Sequence, residues 1–575
     1  MTSTPVLRLP MYHTSLIGRT TEVVELTERL RDSSTRLLTL VGASGAGKTR
    51  LALEAAAAAS SHFTDGVVFV ALAPVQDTRF VIPTIATMLN LTEQPQTTLL
   101  STLGESLRDR HLLLILDNVE QVHDAAADLV TLLAIAPQLT CLLTSQVPIE
   151  VELETVYTLP PLALPADDGP HSLDDLMTFA APALFVERIR DVQPHFHLAP
   201  ANAPAVLELC RLLQGYPLAI ELVAAHSAVL APADLVVLVR NHLKLLPISR
   251  SDASSSSSRS ALFHPVLDWC ASRLPAATRH LFEQLGIFWG GCTAEAVRAV
   301  LMPEQDVETV MELLALLVQK HMIQIETLPG QGDRYVLLDA VHEYSTTRMA
   351  RRKQEVRLRC QHAEYYQALA LALEPQLVSH EQARLLRGLD EEIHNVRIAL
   401  DWLRLQDQPL AVVRTLTATF RFWLSRSYYT EARYWLELAI IPAPDTQQSD
   451  WARGWWMLGV MAVSQRDYTS AEHAYAQAQA LYLQAKDWSG QGRVANGRAI
   501  SYLIQGLIEE ARESFEAAIT AFRQAPVVDG VGLAAARSNL AIIYMIQGVY
   551  NQAEAILEDL LASKEENGDL HSYVN

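Results

Sequence analysis

Over the first 165 residues, short apolar runs alternate with stretches of helical period. Thr35 to Val41 (TRLLTLV), Val67 to Leu72 (VVFVAL), His111 to Glu120 (HLLLILDNVE) and Thr140 to Ser145 (TCLLTS) are the apolar runs. Runs this short, without polar alternation, predict strands buried on both faces. Between them, Thr21 to Leu30, Arg50 to Ser60, Val81 to Leu91 and Leu99 to Leu107 place apolar residues three and four apart, as helices do. Strand and helix in alternation predict a parallel sheet that binds ligand at the carboxyl ends of its strands. Residues 1–15 read as an irregular lead-in, and Val156 to Leu164 as the chain's exit from the sheet.

The pattern then changes. Leu173 to Leu245 is helical, and Ser249 to Ser260, with five consecutive serines at 254–258, reads as a flexible linker. Helical periods resume at Pro265 to Arg273, Ala277 to Ile287, Ala294 to Leu301 and Val307 to Lys320. A hairpin follows, with arms Ile323 to Glu326 and Tyr335 to Leu338 around Pro329-Gly330-Gln331-Gly332. Helices closed by a hairpin form a winged-helix pattern. From about residue 353 only helical signals remain, and a repeat emerges. Tyr428-Tyr429-Thr430-Glu431-Ala432-Arg433 recurs around Ala471, Ala511 and Ala553, at steps of 39, 40 and 42 residues. Small alanines at fixed spacing, with aromatic residues and leucines between, predict a tetratricopeptide-like array of helical hairpins. Such arrays offer a concave face to partners.

The stretch with the clearest chemistry is Gly42-Ala43-Ser44-Gly45-Ala46-Gly47-Lys48-Thr49, which fits G-x-x-x-x-G-K-[ST] between a strand and a helix. Glycines let the backbone wrap close to phosphates, and the N-terminus of the helix that Arg50 continues adds its positive dipole end. Lys48 would reach the β- and γ-phosphates, and the Thr49 hydroxyl would bind Mg²⁺. Four or more apolar residues ending in Asp117 place a second Mg²⁺ ligand at the carboxyl end of a neighbouring strand. Asn118 and Glu120 are candidates for orienting or activating an attacking water; Glu120 reads equally well as a solvated residue opening the next helix. The fold class is therefore multidomain. An α/β P-loop nucleotide-binding domain (1–165) is followed by a helical domain (170–248), the Ser-rich linker (249–261) and a winged-helix domain (262–350). A helical connector (351–410) leads into the all-α tetratricopeptide-like solenoid (411–575).

Charge narrows the partners. The net charge of −20 argues against a general nucleic-acid surface. The winged-helix segment carries six Lys/Arg against eleven Asp/Glu over residues 262–350, so direct DNA binding by it is not expected. The basic run Arg348, Arg351, Arg352, Lys353, Arg357 and Arg359 reads as a solvated helix face. The five cysteines lie far apart in no metal or disulfide spacing, which points to a reducing cytoplasm. No run approaches the ~18 apolar residues of a membrane span.

Taken in order, LIGR at Leu16 to Arg19, GASGAGKT at Gly42 to Thr49, LLLILDNVE at Leu112 to Glu120 and GYPLAIEL at Gly215 to Leu222 carry a resemblance. The chain resembles the STAND class of signal-transduction NTPases, NB-ARC branch, and within it the bacterial ATPases of large LuxR-associated transcriptional regulators. The resemblance implies a switch in which ADP holds a closed form and ATP permits an open one that often forms a homo-oligomer. It implies that Ile17 and Arg19 line the nucleotide pocket and that Pro217 packs near the adenine. Two departures follow from it. Leu337-Leu338-Asp339 stands where relatives carry a Met-His-Asp sensor, so Leu338 replaces the histidine. Ser145-Gln146 stands where relatives have Ser-Arg, so Gln146 occupies the place of a γ-phosphate-sensing cation and brings no charge to it.

The expectation is thus a slow ATPase acting as a signalling switch, with ATP or ADP and Mg²⁺ in the loop and a protein or small-molecule inducer on the repeats. A nucleotide-binding scaffold without hydrolysis and a DNA-binding regulator are the alternatives. Residues 534–575 read as an uncapped array end that a further helix or partner would complete.

Overall fold

The computed structural model describes residues 6–9, 15–75, 77–89, 91, 97–166, 172–244, 263–328, 332–351, 354–379, 381–440 and 447–567. Two compact units make up the chain: one holds residues 1–91 and 99–358, the other residues 92–98 and 359–575.

In the first unit, six strands form one sheet: β1 (Val6–Arg8), β2 (Leu37–Val41), β3 (Gly66–Ala71), β4 (Leu112–Asp117), β5 (Thr140–Ser145) and β6 (Glu154–Thr158). Their spatial order is β1-β3-β4-β5-β2-β6, and every pairing is parallel. Every residue of β2, β4 and β5 is buried, as their unbroken apolar runs require. Helices Thr20–Arg31 and Lys48–Ala59 join Leu38, Leu40, Ile115 and Leu142 in one core. That core fixes the strand ends from which the site is built.

Two expectations fail at the sheet's edges. The lead-in is not wholly irregular: Val6–Arg8 pairs with Gly66–Val68. The exit segment first runs as β6 beside β2, with Val156 exposed and Tyr157 buried. Both edge strands are short, and a partner supplied from elsewhere in the sheet, rather than their own pattern, makes them strands.

Past the sheet, helices Leu173–Thr178, Ala180–Val192, Ala203–Leu212, Pro217–Ala224 and Pro232–Lys244 follow. Ser249 to Ser260 lies outside the described residues. Helices Phe263–Ser272, Ala276–Phe282, Ala294–Leu301 and Val307–Gln319 then lead to an antiparallel hairpin, Gln324–Leu328 with Gly332–Val336. Cys292 exchanges backbone hydrogen bonds with Tyr335 at 2.9 and 2.8 Å, adding a third line of chain to the hairpin. The basic run is not uniformly solvated. Arg348 ion-pairs with Asp268 and lies over the Tyr344 ring, because its helix, Asp339–Arg351, packs on Phe263–Ser272.

The second unit is helical throughout its described residues. Helices Gln448–Ser464, Tyr468–Gln484, Trp488–Ile504, Ile508–Gln524, Gly530–Ile546 and Tyr550–Asn567 stack as successive hairpins. The marker alanines Ala432, Ala471, Ala511 and Ala553 are all buried on second helices, with exposures of 0, 0, 0 and 2%. Glycines on the first helices admit aromatic rings: Gly459 and Gly497 face Tyr475, Gly490 faces Tyr482, and Gly492 faces Phe522. A Cβ at any of these four would overlap the ring, so the small residues set how closely neighbouring helices approach.

Candidate nucleotide site

The loop after β2 is built around two left-handed glycines, Gly45 at φ +72° and Gly47 at φ +92°. Gly47 is also the N-cap of helix Lys48–Ala59 and offers no capping side chain. The first N–H groups of that helix therefore face the loop's hollow, an arrangement suited to an anion. Gly45 is clasped from outside. Its carbonyl accepts from the Leu218 N–H at 3.3 Å, and a Cβ there would overlap the Phe263 ring. Gly45→Ala, with φ strain and this overlap together, is expected to destabilise the fold by about 1–3 kcal/mol or more. Thermal melting checks it, and an unchanged midpoint would refute the clasp.

Lys48 is 8% exposed. Its Nζ donates to Gly42 O at 3.0 Å and Ala43 O at 3.3 Å. Burial pushes its pKa down, while the Glu120, Asp117 and Asp339 carboxylates pull it back up. The Thr49 hydroxyl donates to Asp117 Oδ1 at 2.7 Å, so the two expected Mg²⁺ ligands meet directly. Burial raises the Asp117 carboxyl, and hydrogen bonds from Thr144 and Thr49 oppose that rise. Asn118 follows in the left-handed region at φ 68°, ψ 51°, a conformation asparagine tolerates better than most residues. Glu120 sits in the 3₁₀ turn Val119–Ala125, with its Oε2 buried and without a hydrogen-bond partner.

A cavity of about 300 Å³ opens beside the loop. Ile17, Arg19, Ser44, Gly45, Ala46, Gly47, Lys48, Thr49, Arg50, Asn118 and Pro217 line it. Gly42 and Ala43 stand behind the wall, holding Lys48. Asp117 and Glu120 also lie off the lining but face Lys48 electrostatically. Gln146 is not among the lining residues. Arg19 lines the cavity already engaged: it donates to Pro160 O at 2.7 Å and to Glu22 at 2.6 Å. Gly18 beside it, at φ +68°, packs so tightly on Ala180 that no side chain fits.

The far wall adds residues that the sequence reading does not assign. Arg188 donates to Glu221 at 3.0 Å and Asp191 at 2.8 Å, and all three line the cavity with His321 and Gln324. Glu221 lies four residues after Pro217 on one helix, a spacing that does put both on one face. His321 and Gln324 come from the turn before the hairpin and the hairpin's first residue, where no local signal marks them. Leu338 and Asp339 line the cavity too, although the histidine of the resembling motif is missing. Asp339 is exposed along its length but crowded by protein atoms at the carboxyl, and that crowding, with Asp117 and Glu120 near, pushes the carboxyl up to about 7.

These residues fit a magnesium nucleotide. Glycine-shaped backbone and a buried lysine suit phosphates, and the Thr49 hydroxyl and Asp117 carboxylate, in direct contact, are hard oxygen donors of the kind Mg²⁺ takes.

Comparison with known proteins agrees with this fold. An AAA domain family matches residues 30–147, and a tetratricopeptide repeat family matches residues 490–566. The chain is 33% identical over 402 residues to "Putative HTH-type transcriptional regulator Rv0890c" of Mycobacterium tuberculosis, covering 70% of this chain and 43% of that protein. It thus spans less than half the length of that relative. It is 32% identical over 340 residues to "Uncharacterized protein Rv0894" of the same organism, covering 59% of this chain and 82% of that protein. Among solved structures, a Signal Transduction ATPase with Numerous Domains (STAND) protein with a tetratricopeptide repeat sensor, PH0952 from Pyrococcus horikoshii, shares the fold. It aligns with 97% of this chain and 78% of its own length at a TM-score of 0.50 and 13% identity. A phosphate loop, a buried Asp117 and buried marker alanines stand in this order along a chain that joins an AAA domain to tetratricopeptide repeats and shares its fold with the STAND protein PH0952, and the chain belongs to one family with the mycobacterial protein Rv0894.

Proposed function

We propose that this protein is a nucleotide-dependent switch, binding ATP or ADP with Mg²⁺ and hydrolysing ATP slowly. The observation that carries the reading is the make-up of the cavity. Its walls include the Leu16 to Arg19 segment, the loop, the Pro217 helix and the Leu338 to Ala340 corner, four stretches separated in sequence. A ligand held by all four ties them together, and a change in its phosphate end alters how they pack.

In this reading Lys48 and the loop N–H groups hold the β- and γ-phosphates, and Ile17, Leu162, Leu184, Pro217 and Leu218 give the base an apolar slot. Thr49 and Asp117 hold the metal, whose charge stabilises the phosphoryl oxygens when bound. Asn118 and Glu120 position the attacking water. Gln146, uncharged and off the cavity lining, brings no cation to the γ-phosphate, so turnover is expected well below about 10 per second. The repeat array takes a protein or small-molecule inducer on its concave face. The chain acts in the cytoplasm as the ATPase portion of a transcriptional regulator. The acidic balance around the hairpin favours regulation through a partner over direct DNA contact by this segment.

The test is to identify the nucleotide that co-purifies, exchange it, and follow phosphate release and mass in solution. ADP or ATP should be found, with slow release and a larger particle in the ATP-loaded form. Absence of any nucleotide affinity, or rapid turnover, would overturn the reading.

A further inference from the structure

We infer that Thr144 is the positioning residue for the metal-binding carboxylate, holding Asp117 in place through a hydrogen bond from the neighbouring strand. The inference rests on the reading that the site takes a magnesium nucleotide.

Thr144 lies on β5 and is fully buried, at 0% exposure. Its hydroxyl donates to Asp117 Oδ1 at 2.5 Å, and the same oxygen accepts from the Asn118 N–H at 3.0 Å. One side chain therefore grips both the carboxylate and the left-handed peptide that follows it. The second donor to Asp117 Oδ1 is Thr49, at 2.7 Å. The two donors differ in kind. Thr49 belongs to the phosphate loop and is itself assigned to the metal, so its hydroxyl must serve the ion once Mg²⁺ enters. Thr144 comes from the sheet and has no such second duty. It remains the group that keeps Asp117 from turning away.

A valine at 144 has nearly the same shape and suits a buried strand, so it removes two hydrogen bonds and little packing. A partner that orients a metal ligand typically changes metal affinity about 10–100-fold when lost. A residue important only to the fold would lower nucleotide affinity with and without metal alike.

The experiment titrates the full chain with a fluorescent ADP, at varied Mg²⁺ and in EDTA. Thr144→Val and Thr144→Ala delete the hydroxyl in two shapes, with melting curves as the check on folding. Both should raise the Mg²⁺ concentration at half-maximal effect about tenfold or more, while affinity in EDTA stays within about twofold. Thr144→Ser should restore the wild-type Mg²⁺ dependence. On an Asp117→Asn background, Thr144→Val should shift it no further. A Thr144→Val protein with wild-type Mg²⁺ dependence, or a Thr144→Ser protein as impaired as Thr144→Val, would overturn the inference. A wild-type chain that binds no ADP at any Mg²⁺ would instead overturn the underlying nucleotide reading, and the inference with it.

Discussion

Lys48→Ala is expected to lose nucleotide binding by about 100-fold or more. The ammonium sits at the head of the loop, 8% exposed, with its hydrogen bonds going to Gly42 O and Ala43 O. Those loop carbonyls hold it in reach of the hollow. A hydrogen bond to a charged group is worth about 1.5–3 kcal/mol, and the lysine offers more than one to a polyphosphate. Its removal has a second effect. Asp117, Glu120 and Asp339 all act on Lys48 as anions, and without it they face an incoming phosphate unopposed. Calorimetry with ADP and Mg²⁺ measures the loss. Wild-type affinity in Lys48→Ala would rule out the loop as the phosphate site.

The largest effect on stability is expected in the second unit, from Glu431→Ala. Arg397 Nε and Nη2 donate to the two oxygens of Glu431, each at 2.7 Å, in a bidentate pair. The side chains are 9% and 0% exposed. Arg397 also lies over the Tyr428 ring, 5.4 Å from its centre, and Trp435 Nε1 donates to Glu431 Oε1 at 3.4 Å. Two charges taken out of water are tolerable as a pair, yet one of them left alone is not. Removing the carboxylate leaves a buried guanidinium without its anion, at a cost of about 3–5 kcal/mol. Chemical denaturation of the full chain, followed by helical signal, should show the repeat transition at markedly lower denaturant. A shift worth less than about 1 kcal/mol would mean that Arg397 finds water or another partner.

The phosphate loop, Asp117 and the three central strands were legible in the chain because their signals are local. Each is a run of adjacent residues whose chemistry and burial agree. The marker alanines were legible for another reason: repetition makes a weak signal countable, and all four are buried. What stayed hidden was assembled from afar. β1 and β6 are strands because β3 and β2 offer them an edge, which nothing within Val6–Arg8 or Glu154–Thr158 announces. Arg188, His321 and Asp339 line one cavity from three separate elements, and no spacing along the chain relates them. Gln146 is the converse case: its place in a motif suggests a pocket residue, and it does not line the cavity.

The strand order also bears on how the protein is made. Helical hairpins of the second unit are contiguous in sequence, so each can close soon after it leaves the ribosome. The sheet cannot proceed this way. β2 is synthesised early, but its two neighbours in the sheet are β5 and β6, which emerge about a hundred residues later. Until then the strand that carries the phosphate loop has both edges open, and the apolar residues that later fill the core are exposed to whatever the nascent chain meets. A chain halted before Thr140 holds the whole loop sequence and neither of the strands that flank β2.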